Sequence, residues 1–219
     1  MVLIDLDGTL VDSVPDLADC VDRALAALGL PRRGEARVRD WVGNGIDRLI
    51  KRALTGTLDG EPDPDRFERT RALFDECYAR HFADRSRPFP GAREGVDALK
   101  AAGYPLGCVT NKAARFTRPL LEALGFAGDF GLVVAGDTLP AQKPDPAPLR
   151  YAAGHFGVRP EESLLIGDSV NDVRAARAAG FAVICVSYGY NHGEDIRSAH
   201  PDAVIDSLRA VRTLLDEAA

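Results

Sequence analysis

The sequence predicts an α/β fold on three observations. Beyond Gly91, short continuous apolar runs alternate with helical stretches; residues from about 14 to 84 carry helix signals and no convincing strand; and one apolar run, Val2-Leu3-Ile4, precedes that helical stretch. Short apolar strands separated by helices imply a mostly parallel sheet covered on both faces. The first strand belongs to that sheet, so the helical stretch interrupts it. The expected architecture is a Rossmann-like core formed by residues 1–13 and 86–219, with residues 14–85 inserted as an all-helical cap.

Taken in order, Val2-Leu3-Ile4 reads as a buried strand that breaks at Asp5-Leu6-Asp7-Gly8-Thr9, where carboxylates and a flexible turn meet. Pro15-Asp16 opens an amphipathic helix whose apolar residues Leu17, Val21, Leu25 and Leu28 keep helical spacing up to Gly29. Helix signals return from Val38 to Val42, break at Gly43-Asn44-Gly45, and resume through Ile46, Leu49, Ile50, Ala53 and Leu54. Residues 55–64 read as a loop. A longer helix from Asp65 is marked by Phe67, Phe74, Cys77, Tyr78, His81 and Phe82, and the polar, proline-containing residues 84–90 end it.

In the second half, helices are expected around Val96 and Leu99, from Phe116 to Leu124, from Pro146 to Phe156, and around Val173 to Ala179. Strands are expected at Pro105 to Thr110, Leu132 to Ala135, Leu164 to Ile166, Ala182 to Val186 and Ala203 to Ile205, before a last helix carrying Leu208, Val211 and Leu214. Glycines at 103, 125 and 180 mark helix ends.

Composition narrows the function classes. With 46% hydrophobic and 27% charged residues, the chain suits a globular protein with enough apolar material for a real core. A formal net charge of -6 argues against a nucleic-acid partner or an anionic membrane surface. No segment approaches the ~20 apolar residues of a membrane span, and the first strand leaves no room for a targeting segment. Cys20, Cys77, Cys108 and Cys185 fall far apart inside apolar patterns, as small buried hydrophobes rather than a disulfide or metal framework. A cytoplasmic setting is expected, as a monomer or homodimer.

Four strand ends carry chemistry. In extended chain, residues two apart face the same side, so Asp5 and Asp7 can address one point, and Gly8 lets the backbone turn away. Two carboxylates this close resist ionising together unless a cation sits between them. With a divalent ion present, one can attack as a nucleophile while the other carries protons to and from the substrate oxygen. Thr110-Asn111-Lys112, Lys143-Pro144-Asp145-Pro146 and Gly167-Asp168-Ser169-Val170-Asn171-Asp172 stand at other strand or helix ends. Ligands of an open parallel sheet bind outside the carboxyl ends of its strands, so all four sets can converge. Together they supply carboxylates for Mg²⁺, a cation for a dianion, and hydroxyl and amide donors for phosphoryl oxygens. Singly, each also reads as an ordinary turn, cap or surface residue.

On these motifs the chain resembles the haloacid dehalogenase superfamily of phosphatases along essentially its whole length, in the subgroup with a helical cap inserted after the first motif. The resemblance implies that Asp5 is the nucleophile and that Asp7 protonates the leaving alcohol and then activates water. It implies that Mg²⁺ is held by Asp5, the Asp7 backbone carbonyl and Asp168, with Asp172 close behind. Thr110 and the Asn111 amide would hold phosphoryl oxygens, and Lys143 would offset charge between nucleophile and phosphate. Gly8, Thr9 and Lys112 of the same motifs would also face the substrate, and Gly43-Asn44-Gly45 would close over it. Hinges are expected at Val11 to Val14 and Arg85 to Pro90. Ile4 stands where the family usually has an aromatic, for which only altered packing is expected; Asp7 excludes the dehalogenase branch, which lacks this second acid.

Trp41 to Gly45, Thr110 to Lys112 and Ser187 to Gly193 are similar to the bacterial branch of this family that hydrolyses 2-phosphoglycolate, which implies a small phosphorylated metabolite as the partner. A sugar phosphate or pyrophosphate substrate, a sugar phosphomutase reaction, and a non-catalytic module read through a phosphorylated Asp5 are the alternatives. The lid and the second acid argue against the last. Arg48, Lys51 and Arg52 are candidates for a cation facing a substrate carboxylate, weighed against charges that simply face water. His192 reads as a structural or subunit-contact residue, and Trp41 as packing in the cap.

Overall fold

The computed structural model describes residues 1–217. Strand β1 (Val2–Ile4) lies at the middle of a six-stranded sheet. On one side of it stand β4 (Leu106–Val109) and then β5 (Leu132–Val134); on the other stand β6 (Leu164–Gly167), β7 (Ala182–Val186) and β8 (Ala203–Ile205). All pairings in this sheet are parallel, with Ile4 beside both Cys108 and Ile166. Strand order reverses at β1, which opens a crevice at its carboxyl end between the loops after β4 and β6.

Helices α5 (Ala92–Ala101), α6 (Ala114–Ala123) and α9 (Val211–Glu217) and helices α7 (Ala147–Phe156) and α8 (Val170–Ala179) follow the strands. Alternation along β1 divides the core between two faces. Val2 and Ile4 pack with Val96, Leu99 and Leu120, whereas Leu3 packs with Leu149, Ala152, Val173 and Ala176. Both sides are apolar, so β1 has no polar-facing residue and reads as a continuous hydrophobic run. The last helix starts at Val211, after a short 3₁₀ turn over Leu208–Ala210 whose Arg209 amide donates to the Ser207 hydroxyl.

Helices α1 (Val14–Ala27), α2 (Glu35–Trp41), α3 (Gly45–Thr55) and α4 (Pro64–His81) follow β1 and share their own core of Leu17, Val21, Leu25, Trp41, Ile50 and Phe74, among others. That core also takes in Phe116 of α6 and Tyr190 of the loop after β7, so the helical unit rests on the sheet domain through aromatic side chains. The ring of Tyr78 stacks on Phe74 at 5.2 Å and meets the Phe116 ring edge-on at 4.8 Å.

The two connecting segments form an antiparallel ribbon of β2 (Val11–Asp12) and β3 (Arg87–Pro88), a feature absent from the sequence reading. Two-residue strands are too short to show a period of two, and Pro88 weakens any strand signal there. Asp16 braces the ribbon: its carboxylate accepts from the Arg85 and Ser86 amides and, at 2.6 Å, from the Ser86 hydroxyl.

Candidate active site

Asp5 leaves the end of β1 with its Oδ1 accepting the Leu6 amide at 2.7 Å and lying 2.9 Å from Lys143 Nζ. The Lys143 ammonium also donates to Asp172 Oδ1 at 2.7 Å and to the Val109 carbonyl at 2.8 Å. A lysine has three donors, so this one is fully used and locked in place. Burial alone would depress its pKa; the Asp172 and Asp5 carboxylates reverse that and hold it above the ordinary lysine value.

Asp168 sits at the end of β6. Its Oδ1 accepts from the Thr9 hydroxyl at 2.8 Å and its Oδ2 from the Tyr190 amide at 2.6 Å. Asp172, on the first turn of α8, accepts from the Ser169 hydroxyl at 2.6 Å and from the Ser169 amide at 3.1 Å, the second bond being its half of a reciprocal cap of that helix. Asp5, Asp168 and Asp172 each present one carboxylate oxygen within 4.8 Å of the others, and all three are buried. Burial pushes the Asp5 pKa up to about 7, since the help from Lys143 is partly undone by Asp172. Asp168 is raised too, first by burial and then by Asp172 and Asp5.

Asp7 turns away from this trio. Its carboxylate accepts from the Ser13 hydroxyl at 2.5 Å and from Lys112 Nζ at 3.2 and 3.3 Å. Lys112 Nζ in turn donates to Tyr78 Oη at 2.8 Å, linking Asp7 to helix α4. Burial is the main reason the Tyr78 phenol is pushed up to about 12, so it stays protonated.

The loop between α2 and α3 closes the far side. Asn111 and Asn171 each place a side-chain amide 3.3 Å from the Gly43 carbonyl. Arg52 holds the same loop from within the helical unit, donating to the Trp41 carbonyl at 2.6 Å and to Asn44 Oδ1 at 2.9 Å. His192 places Nδ1 2.8 Å from the Asp40 carbonyl, so its loop bridges core and helices.

These groups surround a cavity of about 250 Å³ lined by Asp5, Asp7, Thr110, Lys143, Asp168 and the Gly43-Asn44-Gly45 turn, among others. Ligand sites usually run to roughly 300–1,000 Å³, so a small substrate is indicated.

Most of the expected residues meet here, but some occupy different stations. Gly8 and Thr9 do not line the cavity; they lie behind Asp168, with the Thr9 hydroxyl on its Oδ1 and Gly8 so close that a Cβ would stand 2.2 Å from its Oδ2. Gly8 also has φ +89°, so only glycine suits this approach. Lys112 lines the cavity but spends its ammonium on Asp7 and Tyr78. Arg48, Lys51 and Arg52 are not cavity residues: Arg48 and Lys51 pair with Glu61 in solvent, and Arg52 holds backbone. The sequence reading missed Ser13, which bonds Asp7 six residues away; Tyr78, Asn171 and Tyr190, which act through neighbours remote in sequence; and Arg71, which lines the cavity from α4.

A buried lysine among carboxylates at the switch point of a parallel sheet, roofed by helices, defines an α/β enzyme of phosphoryl transfer. A family model of haloacid dehalogenase-like hydrolases matches residues 1–180. The chain is 57% identical over 219 residues to the phosphoglycolate phosphatase of Nitrosococcus oceani, covering 100% of this chain and 97% of that one. It is 48% identical over 217 residues to that of Thiobacillus denitrificans, covering 99% and 96%. The crystal structure of a predicted phosphoglycolate phosphatase from Haemophilus somnus superposes with a TM-score of 0.93 at 38% identity, over 98% of this chain and 97% of that one. The chain belongs to the haloacid dehalogenase-like hydrolases.

Proposed function

We propose that the chain is a Mg²⁺-dependent phosphomonoesterase that hydrolyses 2-phosphoglycolate to glycolate and phosphate. The observation that carries the chemistry is the convergence of Asp5, Asp168, Asp172 and Lys143 on one buried point, with Asp7 two residues beyond Asp5. The substrate follows from whole-length likeness to phosphoglycolate phosphatases.

The acidic trio suits Mg²⁺, because hard oxygen donors match a hard cation and the raised pKa of Asp5 signals a site short of positive charge. Asp5 and Asp168 would hold it, with the Asp7 carbonyl, and Asp172 behind them. When bound, the ion would offset charge on the phosphoryl oxygens.

Asp5 then attacks phosphorus and the bond to the glycolate oxygen breaks, leaving an aspartyl-phosphate. Asp7 gives its proton to the departing oxygen. In the second half Asp7 takes a proton from water, whose oxygen attacks phosphorus as the bond to Asp5 breaks. Thr110 and the Asn111 amide hold phosphoryl oxygens, and Lys143 offsets charge between nucleophile and phosphate. The helices over the cavity keep water out during the first step, and the β2–β3 ribbon is the hinge on which they open. Among the described residues no helix is long and apolar enough to cross a membrane. The four cysteines are free, as thiols are in the reducing cytoplasm proposed here.

The deciding experiment is phosphate release from 2-phosphoglycolate beside sugar phosphates, pyrophosphate and nucleotides. Preference for 2-phosphoglycolate is expected; equal or better turnover of another ester would discard the substrate and keep the mechanism.

Lys112 is assigned to Asp7. Lys112→Met is expected to slow 2-phosphoglycolate turnover roughly 10²-fold, because the acid loses its orientation. Read as kcat/KM, which ends at formation of the aspartyl-phosphate and excludes the hydrolysis that Asp7 also serves, para-nitrophenyl phosphate, whose leaving group needs no proton, should lose far less. Equal losses on both esters would contradict the assignment.

A further inference from the structure

Among the described residues, three cations line the cavity: Lys143, Lys112 and Arg71. Lys143 is surrounded by Asp5, Asp172 and the Val109 carbonyl, and Lys112 by Asp7 and Tyr78. Both therefore serve the reacting end. Arg71 alone stands on the helical wall, on α4, beside apolar Leu17, Ile46 and Leu49.

Its guanidinium is held in an uneven way. Nη1 pairs with Asp75, which is 28% exposed and is also bound by Arg115 at 2.8 Å. Nε donates to Asp47 at 2.7 Å, but the Asp47 side chain is 72% exposed. An ion pair to so exposed a carboxylate is weak and readily exchanged. Asp75 thus anchors the guanidinium, while Asp47 occupies a place that another carboxylate can take. Among the described residues Nη2 has no partner, and a planar fork offers two parallel donors to a carboxylate.

We infer that Arg71 is the residue that reads the carboxylate of the substrate, and so selects a phosphorylated hydroxy acid over a phosphoester whose alcohol part carries no charge. This rests on the proposed 2-phosphoglycolate activity. With phosphorus seated at Asp5 among the strand-end groups, the acid end of a two-carbon ester turns toward the helical wall. Arg71 is the cation that meets it there. Asp47, at the same wall, is displaced from Nε as the substrate carboxylate arrives.

The test compares 2-phosphoglycolate with ethyl phosphate, which has the same carbon count and no carboxylate. In Arg71→Met the ratio of kcat/KM for 2-phosphoglycolate to that for ethyl phosphate should fall roughly 10- to 100-fold, mostly through KM for 2-phosphoglycolate. Arg71→Lys should recover part of the ratio, since charge returns without the fork. A purely structural arginine would lower both esters together and leave the ratio intact, which would overturn the inference. Should Arg71→Met fail to fold, Arg71→Gln is judged by the same ratio. A native enzyme without preference for 2-phosphoglycolate overturns the substrate reading and this inference together. A native preference that survives in Arg71→Met overturns only the role of Arg71.

Discussion

Asp5→Asn is expected to lower phosphate release from 2-phosphoglycolate by at least ~10⁴-fold while the chain stays folded. The amide is close to the carboxyl in size. Its oxygen still accepts the Leu6 amide and still faces Lys143, contacts that measure 2.7 and 2.9 Å in the native site. What is lost is the anionic oxygen that attacks phosphorus. The substitution also removes one negative charge from a buried trio that shares a single ammonium, so repulsion with Asp168 and Asp172 is relieved. The metal-free variant should therefore melt above the metal-free native protein at pH 8, even as activity vanishes. Phosphate release and thermal melts on the same preparations check both halves. Activity within 100-fold of native would remove Asp5 as nucleophile; a lower melting temperature would show that its charge is well compensated.

The outcome at each residue shows what a sequence can reveal. Asp5, Thr110 and Asp168 were legible because an apolar run stopping at a polar residue marks a strand end, and strand ends of a parallel sheet share one edge. Lys143 was legible for a related reason, standing just before a proline-rich helix start. The stations of Gly8 and Thr9 were not. Their motif placed them near the site, but only the approach of the β6 loop shows that the Thr9 hydroxyl reaches Asp168 across 159 positions of sequence. The Tyr78 to Lys112 contact likewise depends on how α4 settles on the loop after β4. Arg71 is the clearest case. In sequence it is one of several arginines in a charged helix, and its i,i+4 spacing to Asp75 predicts only a surface ion pair. Which helix face meets the crevice is decided by packing of Phe74 and Tyr78 beneath it, which local periodicity does not place relative to β1.

Removal of the metal is expected to abolish turnover, with full recovery on adding Mg²⁺, and the stability of the protein should record the same event with a definite pH dependence. The Asp5 carboxyl has an ordinary value of 3.8 and is held at about 7 in the fold, chiefly by burial. A raised carboxyl pKa means that ionisation disfavours the folded state. The penalty is absent below about pH 4, grows between pH 4 and 7 as the unfolded chain ionises first, and is complete above about 7. Asp168 is shifted in the same direction and adds to it. Without metal the contribution of this cluster to stability should therefore decline between pH 5.5 and 8. Mg²⁺ needs these carboxylates ionised, so protons compete with it at pH 5.5 and not at pH 8. At a hundredfold excess over its dissociation constant a ligand stabilises by about 2.7 kcal/mol, or roughly 5–10 °C for a chain of this size. The increment in melting temperature from Mg²⁺ should approach that value at pH 8 and shrink at pH 5.5. Asp168→Asn should suppress it at both, because the amide removes an anionic ligand atom; its oxygen can still accept the Tyr190 amide, while the Thr9 hydroxyl can turn to accept from the new NH2. An increment that ignores pH, or one that survives in Asp168→Asn, would place the ion elsewhere than at this trio.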